Sequence, residues 1–160
     1  MRLLVVSILF LCTGFVSFSE TSDSLLYELD QTITKQPEYV KQKWARIGTL
    51  RKELNSATTQ QQKFDINSAL FEEFKSFIYD SAFAYSSKLL LTAYSLRNES
   101  LINASKVKIS FTLLSAGMFK EALDTLHSID SAALTREAKI EFYSAYARTY
   151  FDMGQYAQDQ

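Results

Sequence analysis

From Ser24 onward, apolar residues recur every three or four positions, the spacing of one helical face, and short polar or glycine-containing stretches interrupt them. A first helix carries Leu25, Leu26, Leu29 and Ile33. Pro37 opens a second, because a first helical turn tolerates a residue that lacks an N–H. There Val40, Ile47 and Leu54 fall seven apart with Trp44 and Leu50 between them, which makes one narrow apolar stripe. Thr59 and Gln62 have capping-box spacing, so a third helix starts there and runs through Phe64, Leu70, Phe71, Phe74 and Phe77. The same periodicity predicts further helices at about 80–96, 99–115, 119–129 and 135–153. Gly117 and Gly154 fall just past helix ends, where glycine can take the left-handed conformation that closes a helix. The pattern is that of an all-α chain.

The residues before this pattern differ in character. Arg2 is followed by seventeen uncharged, mostly apolar residues, Leu3 to Ser19, and then by Glu20-Thr21-Ser22-Asp23. That is the layout of a secretory signal peptide. Ser17 and Ser19 fit the small-x-small cleavage rule, which places the signal at 1–19 and the cut after Ser19. An uncut membrane anchor is the alternative, although about 20 apolar residues are wanted to span a bilayer. A lipid-attachment site at Cys12 would need a small residue where Leu11 stands. Cleavage removes Cys12, the one cysteine, and leaves a mature chain without thiol or disulfide. No later segment approaches 18 consecutive apolar residues, so no membrane span is expected after the signal.

Composition narrows the fold and the function together. With 4 Gly and 1 Pro in 160 residues, the chain lacks the turn residues that sandwiches and barrels need every 8–12 positions or so. Its 17 Lys plus Arg against 18 Asp plus Glu give a formal charge of −1, and no basic field for a nucleic-acid backbone. The basic residues of the second helix, Lys41, Lys43, Arg46, Arg51 and Lys52, can be read as a docking surface for an acidic partner or as a solvated face. Exposed helices commonly carry such a face.

Self-comparison reveals repeats. Gly117-Met118-Phe119-Lys120-Glu121-Ala122 recurs as Gly154-Gln155-Tyr156-Ala157-Gln158-Asp159, and Tyr79-Asp80-Ser81-Ala82 matches Phe119-Lys120-Glu121-Ala122. A period near 34, with an aromatic after the turn and an alanine three residues later, resembles tetratricopeptide repeats, antiparallel helix pairs stacked into a solenoid. In that reading glycine closes helix A, the aromatic plugs the turn, and alanine lets helix B approach closely. The best unit spans about 104–130: Ile109, Ser110 and Leu113 pack from helix A, followed by Gly117, Phe119, Ala122, Leu126 and Ile129. The next has Tyr143, Tyr146, Ala147 and Tyr150 at packing positions, then Gly154 and Tyr156, with Asp159 where alanine is expected. Three segments follow: the signal peptide at 1–19, an N-terminal helical hairpin at 20–58, and tetratricopeptide-like repeats at 59–160, the last one incomplete.

A closer resemblance rests on Leu25-Leu26-Tyr27-Glu28-Leu29-Asp30, Tyr39-Val40-Lys41-Gln42-Lys43, Arg46-Ile47, Leu50, Phe71-Glu72-Glu73-Phe74 and Tyr79-Asp80-Ser81-Ala82. These look like the start of a Bacteroides-type family of regulators with a domain of unknown function. The resemblance implies periplasmic tetratricopeptide repeats that sense a ligand or protein, followed by a membrane helix, a coiled coil and a cytoplasmic DNA reader. It covers the sensory portion of that architecture.

Chemistry-bearing patterns are sparse. His127 is the only histidine, so no histidine triad or multi-histidine metal site can be assembled. It falls in a helix B pattern and reads as a surface or half-buried structural residue. Glu72-Glu73 are adjacent on a helix and do not face each other. Asp152 and Asp159 read as exposed carboxylates near a chain end. The glycines are isolated, which leaves no phosphate loop and no nucleophile elbow. Asn98-Glu99-Ser100 and Asn103-Ala104-Ser105 match a glycosylation pattern that arises often by chance. The aromatic series Phe142, Tyr143, Tyr146, Tyr150 and Phe151 suits either a sugar-stacking platform or repeat packing, and three of its members fall on packing positions.

The expectation is a non-enzymatic binding or sensing module with no cofactor and no metal. Its partner is a protein or peptide, and self-association through the open last repeat is a further expectation. Repeats of this kind bind along the inner surface of their A helices, which directs attention to Phe111, Ser115, Arg148 and Phe151, with Arg148 offering paired donors to a carboxylate. The rival to a regulator's sensory half is a self-contained periplasmic adaptor or nutrient-binding protein.

Overall fold

The computed structural model describes residues 19–158. The leader at 1–18, on which the export reading rests, lies outside the described residues, as does Asp159. The described residues form seven α-helices and one short 3-10 turn, with no strand among them. No helix among them is long and apolar enough to cross a membrane.

The described residues fall into two compact units that part between Trp44 and Ala45. In the first, α1 (Ser19–Thr34) and the opening turns of α2 (Gln36–Ser56) are separated by Lys35 alone. Its N–H donates to the carbonyls of Gln31 and Thr32 at 3.3 and 3.1 Å. Pro37 sits within the first turn of α2, where its missing N–H costs no helical hydrogen bond.

The second unit holds the rest of α2, then α3 (Gln60–Phe74), α4 (Tyr79–Leu96), α5 (Glu99–Ser115), α6 (Phe119–His127), the 3-10 turn (Ser131–Ala133) and α7 (Arg136–Gln158). Each helix from α3 onward packs on the next, and α7 returns to α5 as well as to α6. This is the helix-hairpin stacking that the repeats predict: α3 with α4, α5 with α6, and α7 as the first helix of a further unit.

Local signals set the helix ends. Thr59 and Gln62 form the full capping box, with the Thr59 hydroxyl accepting from the Gln62 N–H and the Gln62 side chain accepting from the Thr59 N–H. Asn98 caps α5 through its side-chain oxygen, which accepts from the Leu101 N–H at 3.1 Å. Gly117 closes α5 at φ 74°, a conformation that strains any L side chain. Arg97 ends α4 in the same left-handed region at φ 51° without being glycine, and no sequence signal marks it.

Three apolar clusters hold the second unit. Ile47, Leu70, Phe71, Phe74, Ala82, Leu89 and Ala93 pack together around α3 and α4. Val107, Leu126, Leu134, Phe142 and Ala145 join α5, α6 and α7. Leu113, Leu114 and Ala122 join α5 to α6.

Several expectations need correcting. Phe77 lies past the end of α3, in the turn before α4, and is 38% exposed. Gly154 does not end a helix: α7 continues through it to Gln158. Glycine lowers helix stability by only about 1 kcal/mol, and Met153, Gln155, Ala157 and Gln158 around it are good helix formers, so a motif match to the Gly117 turn does not suffice to break the helix. The packing register of α7 is also one residue earlier than expected for most positions. Ala138, Phe142, Ala145 and Thr149 are buried, whereas Tyr143 and Tyr150 are 59% and 57% exposed. Small residues at 138, 145 and 149 let α7 approach its neighbours, and the tyrosines turned outward keep their hydroxyls in water.

The two glycosylation-pattern asparagines serve the fold instead. Asn98 is the cap just described. Asn103 is buried, its amide donating to the Glu99 carbonyl at 3.1 Å and its oxygen accepting from the Asp130 N–H at 3.2 Å. His127 lies exposed beside Tyr146, with ring centroids 5.8 Å apart.

Candidate functional site

The first helices of the successive units, α3, α5 and α7, line a shared cleft of about 230 Å³. Its floor and walls are mainly apolar: Phe71 from α3, Val107 and Phe111 from α5, Ile140 and Ala145 from α7. Charged groups ring it. Glu72 comes from α3 and Lys75 from the residue that caps its end, Lys108 from α5, Glu141 and Arg148 from α7.

Repeat symmetry produces this arrangement. Glu72 and Lys108 stand 36 residues apart at matching places in α3 and α5, and Glu141 of α7 lies on the other side of Lys108. Acid, base and acid therefore line up across three helices. The Lys108 ammonium donates to Glu72 Oε1 at 2.7 Å and lies 3.7 Å from Glu141 Oε2. Lys75 bonds the other oxygen of Glu72. Lys108 is held over the Phe71 ring at 4.9 Å from its centroid, and its side chain is only 14% exposed.

At the other end of the cleft, two cations share one ring. Arg148 lies 5.7 Å and Lys75 6.0 Å from the centroid of Phe111. Arg148 has one long hydrogen bond, 3.3 Å to Asp152, and its side chain is 49% exposed. Ion pairs this exposed contribute at most about 1 kcal/mol each, so the network positions charge around the cleft more than it stabilises the fold.

Of the four residues singled out by sequence, the structure brings Phe111 and Arg148 together in the cleft. Ser115 does not line it; its hydroxyl donates back to the Phe111 carbonyl at 2.9 Å. Phe151 is 65% exposed on α7 and also lies outside the lining. Glu72, Lys75, Lys108 and Glu141 were not among the expected site residues. The 36-residue offset between Glu72 and Lys108 is the one sequence signal that relates two of them.

A second, more open hollow between α2 and α3 shares Glu72. There Glu73 accepts two hydrogen bonds from the Arg46 guanidinium, at 2.9 and 3.2 Å, which raises the Arg46 pKa. Arg51 is likewise engaged, its Nε 3.4 Å from the Tyr85 hydroxyl. Two members of the basic face of α2 thus stay exposed while bonding neighbouring helices. Glu72 and Glu73 have separate cationic partners, as their adjacency on one helix requires.

Burial pushes the Glu72 carboxyl upward, but hydrogen bonds and charge from Lys108 and Lys75 outweigh it and hold its pKa below the usual glutamate value. A depressed folded-state pKa stabilises the fold above the unfolded value, and this contribution is lost as pH falls through the folded one. In urea titrations, the stability difference between wild type and Glu72→Gln should therefore be largest near neutral pH and shrink on acidification below about 4.3. A difference that grew on acidification would contradict the assignment.

Among the described residues no group of three or more His, Cys, Asp or Glu side chains is placed to hold a metal ion. No curated protein and no solved structure matches the chain. The family model described as the SusR N-terminal TPR domain matches residues 33–160, which takes in the end of α1 and every later helix. Stacked helical hairpins, the left-handed Gly117 turn, the buried Ala122 and a cleft built by successive A helices accord with that match, and the chain belongs to the SusR N-terminal TPR domain family.

Proposed function

We propose that this chain is a non-enzymatic periplasmic binding scaffold, the sensory portion of an envelope-spanning transcription regulator, and that it holds a protein or peptide segment in the cleft between α3, α5 and α7. The observation that carries the reading is the cleft itself. Three repeat-related helices supply an apolar floor bordered by charged side chains, the composition of a surface that captures part of a partner. Tetratricopeptide domains act generally as protein-interaction scaffolds, and this chain belongs to such a family. The apolar leader with Ser17-x-Ser19 supports export.

The test places a photoreactive phenylalanine analogue at position 111 of the full chain in cells, with position 120 on α6, far out in solvent, as control. The expected result is a discrete cross-linked protein product from position 111 alone, recovered with the periplasmic fraction. Equal products from both positions, no product from 111, or a cytosolic protein would overturn the reading.

A further inference from the structure

The charges around the cleft are not paired evenly. At the Lys108 end, Glu72 is held by both Lys108 and Lys75, whereas Glu141 reaches Lys108 only at 3.7 Å. At the other end Lys75, already paired with Glu72, and Arg148, paired with Asp152 at 3.3 Å, flank Phe111. Two of these groups are only weakly satisfied. Glu141 is 3.7 Å from Lys108 with its side chain 52% exposed, and Arg148 has its single 3.3 Å bond to Asp152.

Both weakly satisfied groups lie on α7, seven residues apart, so they share one helix face two turns apart, about 10.5 Å along the axis. Ser144 and Ala145 lie between them, and Val107 and Phe111 form the opposite apolar wall. An extended chain advances about 3.3 Å per residue, so three residues cover the same distance. The cleft volume of about 230 Å³ has room for one medium-sized apolar side chain.

We infer that the cleft selects an extended peptide segment carrying a basic and an acidic residue three positions apart, with an apolar side chain between them. The inference rests on the binding reading above and specifies its ligand. The basic residue pairs with Glu141 and the acidic residue with Arg148, whose guanidinium can offer two donors to a carboxylate. The intervening apolar side chain enters between Phe111 and Ala145. A ligand with two like charges leaves one of the two α7 groups opposed by its own sign, and this repulsion rejects it.

Acetylated and amidated tetrapeptides test this on the full chain, with amide chemical-shift titration as the readout: Lys-Leu-Ala-Glu, Lys-Leu-Ala-Lys and Glu-Leu-Ala-Glu. The wild type should bind the mixed-charge peptide about fivefold more tightly than either like-charged one, the scale expected of exposed charge pairs. Glu141→Lys should move the preference to the doubly acidic peptide, and Arg148→Glu to the doubly basic one. Both positions are exposed, so the helices should persist. If Glu141→Lys fails to fold, Glu141→Gln substitutes for it and should lose the discrimination between Lys-Leu-Ala-Glu and Glu-Leu-Ala-Glu. The same order of preference in wild type and variants overturns the inference, and so does absence of binding by all three peptides. If a cross-linked product still forms from position 111 in either case, the specificity fails while the binding reading stands.

Discussion

Phe74→Ala should lower the stability of the second unit by about 3–5 kcal/mol, read as a shift in the urea midpoint at unchanged slope. Phe74 is fully buried at the end of α3, in one cluster with Leu70, Phe71 and Leu89. Its ring stacks on Tyr85 with centroids 5.5 Å apart and planes 11° from parallel, and the Arg51 guanidinium lies 5.7 Å from its centroid. Truncation removes the apolar contacts and the stack, and leaves a cavity that helices fixed on several sides cannot close. Arg51 also loses the ring beneath it while keeping its 3.4 Å bond to Tyr85. A loss under about 1 kcal/mol would mean that the site relaxes, against the tight packing of this cluster.

Ala122→Leu acts in the opposite sense, by adding volume where none is free. Ala122 is fully buried on α6 against Leu113 and Leu114 of α5, with Ile109 and Phe119 beside them. This is the close-approach alanine that the repeat pattern predicts. Three more carbon atoms must push α6 away from α5 or force neighbouring side chains off their rotamers, at a cost of about 1–3 kcal/mol. An unchanged denaturant midpoint would show that the repeat register assigned to this hairpin is wrong.

The features that sequence announced are those written in local chemistry. Thr59 with Gln62, Gly117 after Ser115, and Ala122 three residues beyond Phe119 each act within a turn or two of their own position, and each is found in its expected role. Gly154 shows the limit of such signals. The same letters that follow Gly117 recur there, yet a glycine ends a helix only when its surroundings make a left-handed turn more favourable than another helical residue. The register of α7 was obscured for a related reason. Its aromatic residues suggested a core face, but Ala138, Ala145 and Thr149 mark the close contact, and small residues carry little hydrophobic signal.

The candidate site divides in the same way. Phe111 and Arg148 follow from asking which residues lie beside the packing positions of successive A helices, and they meet in the cleft. Glu72, Lys108 and Glu141 are each single charges with no distinguishing pattern in the sequence of their own helix. Only the superposition of three helices makes them an alternating row, so a reading that moves along one helix at a time passes over them.

α5 is packed along most of its length: from Ser100 to Leu114 each of its residues is buried or half-buried. Several of its packing positions are small hydroxyl residues whose side chains bond its own backbone, Ser105 to the Leu101 carbonyl, Ser110 to Val107 and Thr112 to Lys108. A helix packed on three neighbours has little room to answer a push at Phe111 by rolling. Close-packed interiors have low compressibility, so the displacement passes at once to α4, α6 and α7. The cleft and the stack are mechanically one object, with α5 as its axle.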